Sequence, residues 1–101
     1  MWLFVMFDLP VGTRQERKQA SDFRHQLQDA GFEMSQFSIY LKYFATTEKA
    51  EATKTKIRSQ LPPGGKVDIL MITDKQFTNM ERFYAKSQIK NQPKPDQLHL
   101  F

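Results

Sequence analysis

Met1-Trp2-Leu3-Phe4-Val5-Met6-Phe7-Asp8-Leu9-Pro10 is the stretch that decides the fold. Its first seven residues are apolar on both faces of an extended strand. Trp2, Phe4 and Met6 point one way, and Leu3, Val5 and Phe7 the other. That is the pattern of a central strand covered on both sides. Asp8 closes the run. A carboxylate is costly to bury unpaired, so it belongs at the strand's exit, exposed or facing a partner. Pro10 stops the strand, and Thr13-Arg14-Gln15-Glu16 has the spacing of a capping box that opens a helix.

That helix is expected from Thr13 to Ala30, ending at Gly31. Its apolar stripe is Ala20, Phe23, Leu27 and Ala30, and turned away from it lie Arg14, Arg17, Lys18, Ser21, Arg24 and His25. The β-branched and aromatic residues between Phe32 and Phe44 predict two strands joined near Gln36 to Ser38, with one long bent strand as the alternative. A second helix is expected over Thr47 to Leu61, with Ala50, Thr53, Ile57 and Leu61 facing inward, until Pro62-Pro63-Gly64-Gly65 ends it. Lys66 to Thr73 is a further strand with apolar residues on both faces. Asp74 to Asn79 is a turn with room for one helical turn inside it, and Met80 to Ala85 can form a further strand on the edge. Lys86 to Asp96 is a polar linker with two prolines leading to a last short strand, Gln97 to Phe101. The organisation expected is one domain over residues 1–85 and a C-terminal linker with a swapped strand over 86–101.

The order β-α-β-β-α-β puts both helices on one face of the sheet, because crossovers are right-handed. The other face then needs a layer for which no third helix is expected, and a homodimer packing sheet against sheet supplies it. The tail beyond Lys94 can extend a sheet, its own or the partner's, by edge pairing.

The chain has 101 residues, 40% of them hydrophobic, nine of them phenylalanine, which suits one small packed domain. A net charge of +4 suggests an anionic partner. There is no cysteine, so disulfides, thiolate zinc sites and cysteine nucleophiles are excluded, and a cytoplasmic address is expected. The opening apolar run is too short to span a bilayer and lacks the basic leader of a secretory signal.

Asp8, on a rigid strand tip beside the positive end of an arginine-rich helix, is either a metal ligand near phosphate or an ordinary turn residue before Leu-Pro. Arg14 and Arg17, in the first turns of the helix, either engage phosphate together with the backbone amides or merely solvate an outer face; arginine there opposes the helix dipole. Asp68 and Asp74 are lesser candidates for a metal, His25 for phosphate. His99 has no spaced ligand partner. Phe37, Tyr40, Tyr43, Phe44, Phe83 and Tyr84 are candidates for base stacking or for core. Gly64-Gly65 precedes a strand rather than a helix, the reverse of a phosphate-cradling loop, and reads as punctuation.

Phe7-Asp8-Leu9-Pro10 at a strand end, the arginine-rich first helix, Gln36-Phe37-Ser38-Ile39-Tyr40 and Ile72-Thr73-Asp74-Lys75-Gln76-Phe77 together resemble the CRISPR-associated Cas-two family, the last segment being most similar to versions that accompany type II systems. The resemblance covers nearly the whole chain. It implies an α+β, ferredoxin-like βαββαβ fold with an extra C-terminal strand packing across a sheet-to-sheet homodimer. It implies a role in spacer acquisition, in which the dimer bridges the CRISPR integrase and holds a protospacer duplex. Arg14, Arg17 and Lys18, with Arg24 and His25 beside them, would contact nucleic acid, and Leu98, Leu100 and Phe101 would dock an integrase subunit. It also implies an endonuclease dependent on magnesium or manganese, acting on single-stranded RNA or double-stranded DNA, with Asp8 as catalytic residue and metal ligand. No second acidic ligand near Asp8 is evident along the chain, so catalysis would depend on dimer geometry. The rival reading is a single-stranded RNA-binding module on the same scaffold, using sheet aromatics to read bases.

Overall fold

The computed structural model describes residues 1–85. Seven elements follow one another: β1 (Trp2–Asp8), α1 (Arg14–Asp29), β2 (Glu33–Gln36), β3 (Ile39–Tyr43), α2 (Thr47–Arg58), β4 (Lys66–Ile72) and α3 (Asp74–Thr78). The strands form one antiparallel sheet in the order β2-β3-β1-β4, so β1 is central as its two apolar faces predict. This is a ferredoxin-like α+β fold.

Local chemistry sets the boundaries. Thr13 Oγ1 accepts from the Glu16 amide at 3.1 Å and Glu16 Oε1 accepts from the Thr13 amide at 2.9 Å, a complete capping box worth about 1 kcal/mol. Gly31, in the left-handed region at φ 92°, turns the chain out of α1. Lys42 Nζ donates to the last-turn carbonyl of Ala30 at 2.6 Å. Thr73 and Gln76 form a second capping box that starts α3.

The register assigns every face. Leu3, Val5 and Phe7 lie opposite Met71, Ile69 and Val67 of β4 on the helix-covered side. There they join Phe23 and Leu27 of α1, Ala50 and Ile57 of α2, and Phe32, Tyr40 and Phe44 in one core. Each fully buried large side chain of that cluster contributes on the order of 1.5–3 kcal/mol. Phe7 packs edge-on to Phe23 at 5.2 Å and stacks on Tyr40 at 5.7 Å.

Three expectations need correcting. A third helix does exist: α3 lays Phe77 flat on Trp2, ring centroids 4.0 Å apart, and reaches Phe4 at 6.1 Å. One corner of the second sheet face is therefore covered by the chain itself. Elsewhere that face stays open, with Phe4 and Met6 half-buried, Leu70 48% exposed and Tyr43 49% exposed. Met80 to Ala85 is not a strand; after the α3 cap the segment runs as coil, and Arg82 donates to the Ser35 hydroxyl of β2 at 3.2 Å. Leu61 is outside the core, because α2 stops at Arg58 and the chain turns away before reaching it. The linker from Lys86 and the strand Gln97 to Phe101, with the docking residues Leu98, Leu100 and Phe101, lie outside the described residues. No helix among the described residues is long and apolar enough to cross a membrane.

Candidate nucleic-acid site at the tip of the first strand

Antiparallel pairing of β1 with β4 sets Asp8 directly opposite Lys66 and Met6 opposite Asp68. Directly opposed residues share a face, so Asp8, Lys66 and Asp68 all lie at one end of the open face. Asp68 is a diagonal neighbour of Asp8, about 7–8 Å away for such a pair. An open cleft of about 290 Å³ collects them, lined by Met6, Phe7, Asp8, Ser38, Lys66 and Asp68, with Phe37 and Ile39. Of the two lesser metal candidates, Asp68 is thus the carboxylate beside Asp8, sixty positions along the chain. Asp8, Asp68 and Lys66 are all exposed, and none is in an ion pair with another described residue.

Gly65 makes this strand tip possible. Its φ of +70° is left-handed, and a Cβ there would sit 2.5 Å from the Asp8 carbonyl oxygen and 3.0 Å from Leu9 Cα. Only glycine lets the β4 entry press against the β1 exit. The Gly64-Gly65 pair is more than punctuation, a role that shows only once Lys66 is paired with Asp8.

The strand exit leads straight into the cationic helix. Arg17 Nη1 donates to the Val11 carbonyl at 3.1 Å, tying the Asp8-to-Thr13 loop to the first turns of α1. Arg14, Arg17, Lys18 and His25 are exposed and Arg24 is half-buried. Lys18 pairs with Asp22 at 2.9 Å, an exposed i,i+4 contact worth well under about 1 kcal/mol and easily exchanged. The side chains of Arg14 and His25 make no hydrogen bond or ion pair with the described residues. Arg24 sits against two rings, its guanidinium 5.6 Å from the centroid of Phe7 and 5.4 Å from that of Phe37.

Asp74 is at the opposite end of the sheet, where it accepts from the Met1 amine at 2.7 Å. It is not part of the Asp8 cleft. Of the sheet aromatics, Tyr40 and Phe44 are core and Tyr43 packs edge-on to Trp2 at 5.4 Å, whereas Phe37 and Phe83 are open to solvent. A sheet face reading bases with Tyr40 and Phe44 is therefore ruled out by their burial.

The first 80 residues match the family described as CRISPR associated protein Cas2. The chain belongs to that family. It is 50% identical over 101 residues to a CRISPR-associated endoribonuclease Cas2 of Flavobacterium psychrophilum, covering 100% of this chain and 88% of that one. A protein of the same name from Paracidovorax avenae is 46% identical over 101 residues, covering 100% of this chain and 94% of that one. The crystal structure of Streptococcus pyogenes Cas2 at pH 6.5 shares the fold with a TM-score of 0.62 at 14% identity, covering 83% of this chain and 100% of that chain.

Whether this Cas2-family chain suits a divalent metal is a matter of donors. Among the described residues no three His, Asp or Glu side chains cluster. A closed all-protein cage is therefore not available to one subunit within them. Magnesium, however, is commonly held by one or two carboxylates, with waters and substrate phosphate completing six oxygens. Asp8 and Asp68 in an open cleft fit that mode, with Lys66 paired across from Asp8 on the same face.

Proposed function

We propose that this Cas2-family protein works as a homodimer in CRISPR spacer acquisition, binding duplex DNA through its phosphates and bridging integrase subunits, with a metal-dependent phosphodiesterase centre at Asp8. The observation that carries the reading is the junction itself: an exposed carboxylate at the β1 tip, joined by the Arg17–Val11 tie to a helix whose outer face is cationic. Full-length similarity to relatives named endoribonucleases supports the hydrolytic part.

Arg14, Arg17 and Lys18 neutralise phosphates, aided by the first backbone amides of α1, and carry no sequence information. Asp8, with Asp68 beside it, holds the divalent ion at the cleft. That ion, magnesium or manganese, supplies Lewis-acid polarisation of a phosphodiester oxygen and an activated water. Lys66 stabilises negative charge developing on the same phosphate. The open sheet face, with Leu70, Tyr43, Phe4 and Met6, is the surface a second copy covers about a two-fold axis, which sets two clefts and two cationic helices in one array. The tail residues Leu98, Leu100 and Phe101 dock the integrase, and the protein acts in the cytoplasm.

Duplex binding measured between 50 and 200 mM salt tests the core of this reading. A dimer touching about 6–10 phosphates loses roughly 10³–10⁵ in affinity across that range. Affinity that stays constant across it would refute phosphate-dominated binding.

A further inference from the structure

One part of the cleft is not needed to bind a duplex backbone: the Phe37 ring. Phe37 is 80% exposed, a costly position for a large apolar ring. Yet it is firmly placed. Ser38 next to it has a φ of 63°, a left-handed backbone unusual outside glycine. The Ser38 carbonyl accepts from the Phe7 amide at 3.1 Å, which pins the β2–β3 turn to the β1 tip beside Asp8. Arg24 lies between the Phe7 and Phe37 rings, 5.6 and 5.4 Å from their centroids. The Phe37 ring thus meets a guanidinium while most of its surface is open to solvent beside the cleft it lines.

The cleft therefore presents a π face, an ammonium with no ion-pair partner among the described residues and two carboxylates in a single concavity. At about 290 Å³ it lies at the small end of ligand pockets, which run from about 300 to 1,000 Å³. We propose that it is a subsite for one unpaired nucleotide, whose base stacks on Phe37 and whose phosphate is held by Lys66. The base covers the open ring surface beside Arg24. Bases inside a duplex have both faces occupied by their neighbours, so the subsite selects a single-stranded end or flap over a paired interior. Base stacking of this kind is indifferent to base identity. The inference rests on the nucleic-acid reading above and adds the strand state of the ligand.

The test compares full-length protein and variants by fluorescence anisotropy on three probes: a blunt duplex, the same duplex with a single-stranded overhang, and that overhang built from abasic nucleotides. Overhangs of DNA and of RNA form separate arms, and the arm with the larger base-dependent gain names the ligand. The native protein should bind the base-bearing overhang about 5- to 100-fold more tightly than the abasic one. Phe37→Leu should bring that ratio close to one, Phe37→Trp should keep it, and Phe83→Leu, which alters an equally exposed ring away from the cleft, should leave it alone. Lys66→Gln should weaken both overhangs alike and make their salt dependence shallower. A ratio unchanged in Phe37→Leu would overturn the subsite. So would a drop in the dimer's mass in that variant, because the ring would then be an interface contact. Native protein that binds the blunt duplex yet shows a ratio of one loses the subsite alone; native protein that binds no probe loses the underlying reading as well.

Discussion

Replacing Gly65 with alanine should damage both the stability of the fold and the Asp8 site, and Gly64→Ala one residue earlier is its built-in control. Both glycines have left-handed backbones, at φ +75° for Gly64 and +70° for Gly65, so each alanine incurs about 1–2 kcal/mol of backbone strain. Their surroundings differ. A Cβ at Gly64 meets nothing nearer than Pro10 Cγ at 3.6 Å, an ordinary contact. A Cβ at Gly65 would lie 2.5 Å from the Asp8 carbonyl oxygen and 3.0 Å from Leu9 Cα, both backbone atoms that cannot swing aside. Overpacking of that kind adds about 1–3 kcal/mol and forces the β1 and β4 ends apart. For a domain of this size each kcal/mol moves Tm by about 4–8 °C. Gly64→Ala should then lose roughly 4–16 °C and Gly65→Ala roughly 8–40 °C, the larger loss falling on Gly65. Differential scanning fluorimetry at one fixed protein concentration reads this, the concentration being held because dimerisation makes Tm depend on it. At a temperature where both variants remain folded, Gly65→Ala should also lose cleavage, since an error of about 1 Å in a positioned group costs on the order of 10²-fold. Equal Tm losses for the two variants, with cleavage intact in Gly65→Ala, would refute the claim that this close approach shapes the Asp8 tip.

Other outcomes follow from the same geometry. Arg14→Ala with Arg17→Ala should weaken duplex binding on every sequence; losing four phosphate contacts per dimer should make the slope of log affinity against log salt shallower by about 3–4, and an unaltered slope would reject these side chains as contacts. Asp8→Asn should abolish metal-dependent cleavage while light scattering returns the native mass; equal cleavage by the variant would place the activity elsewhere. Leu70→Arg, at a 48%-exposed position of the open face, should halve the mass measured by light scattering without unfolding the subunit, and a native mass would show that copies meet on another surface. Phe77→Ala removes the ring stacked at 4.0 Å on Trp2, the only tryptophan of the chain, and should red-shift its emission while costing roughly 2–3 kcal/mol in urea unfolding; unshifted emission would mean that α3 does not cover this corner.

What the amino-acid sequence determined by itself is what depends on near neighbours. The two-faced apolar run of β1, the Thr13–Glu16 capping box, the helical stripe of Ala20, Phe23 and Leu27, the exposed Asp8 and the cationic face from Arg14 to His25 were all legible, because helix and strand periods and end caps act over a few residues. The β2–β3 pair was legible as well, although its turn at Ser38 lacks the usual glycine. Met80 to Ala85 reads as an edge strand from its residues but runs as coil.

Only the tertiary structure decided which distant residues meet. That β4 enters beside the β1 exit, placing Lys66 opposite Asp8 and Asp68 on its diagonal, is a matter of register between segments nearly sixty residues apart. Nothing in the local pattern of either strand sets that register. It follows from burying Val67, Ile69 and Met71 with Phe7, Val5 and Leu3 under two helices, and from a glycine small enough to let two chain segments touch. Phe37 reached the same cleft through a bond between the Phe7 amide and the Ser38 carbonyl, and α3 reached Trp2 through ring stacking. Side-chain spacing governs secondary structure, whereas the site is assembled by long-range packing, and that packing exists only once the chain has closed on itself.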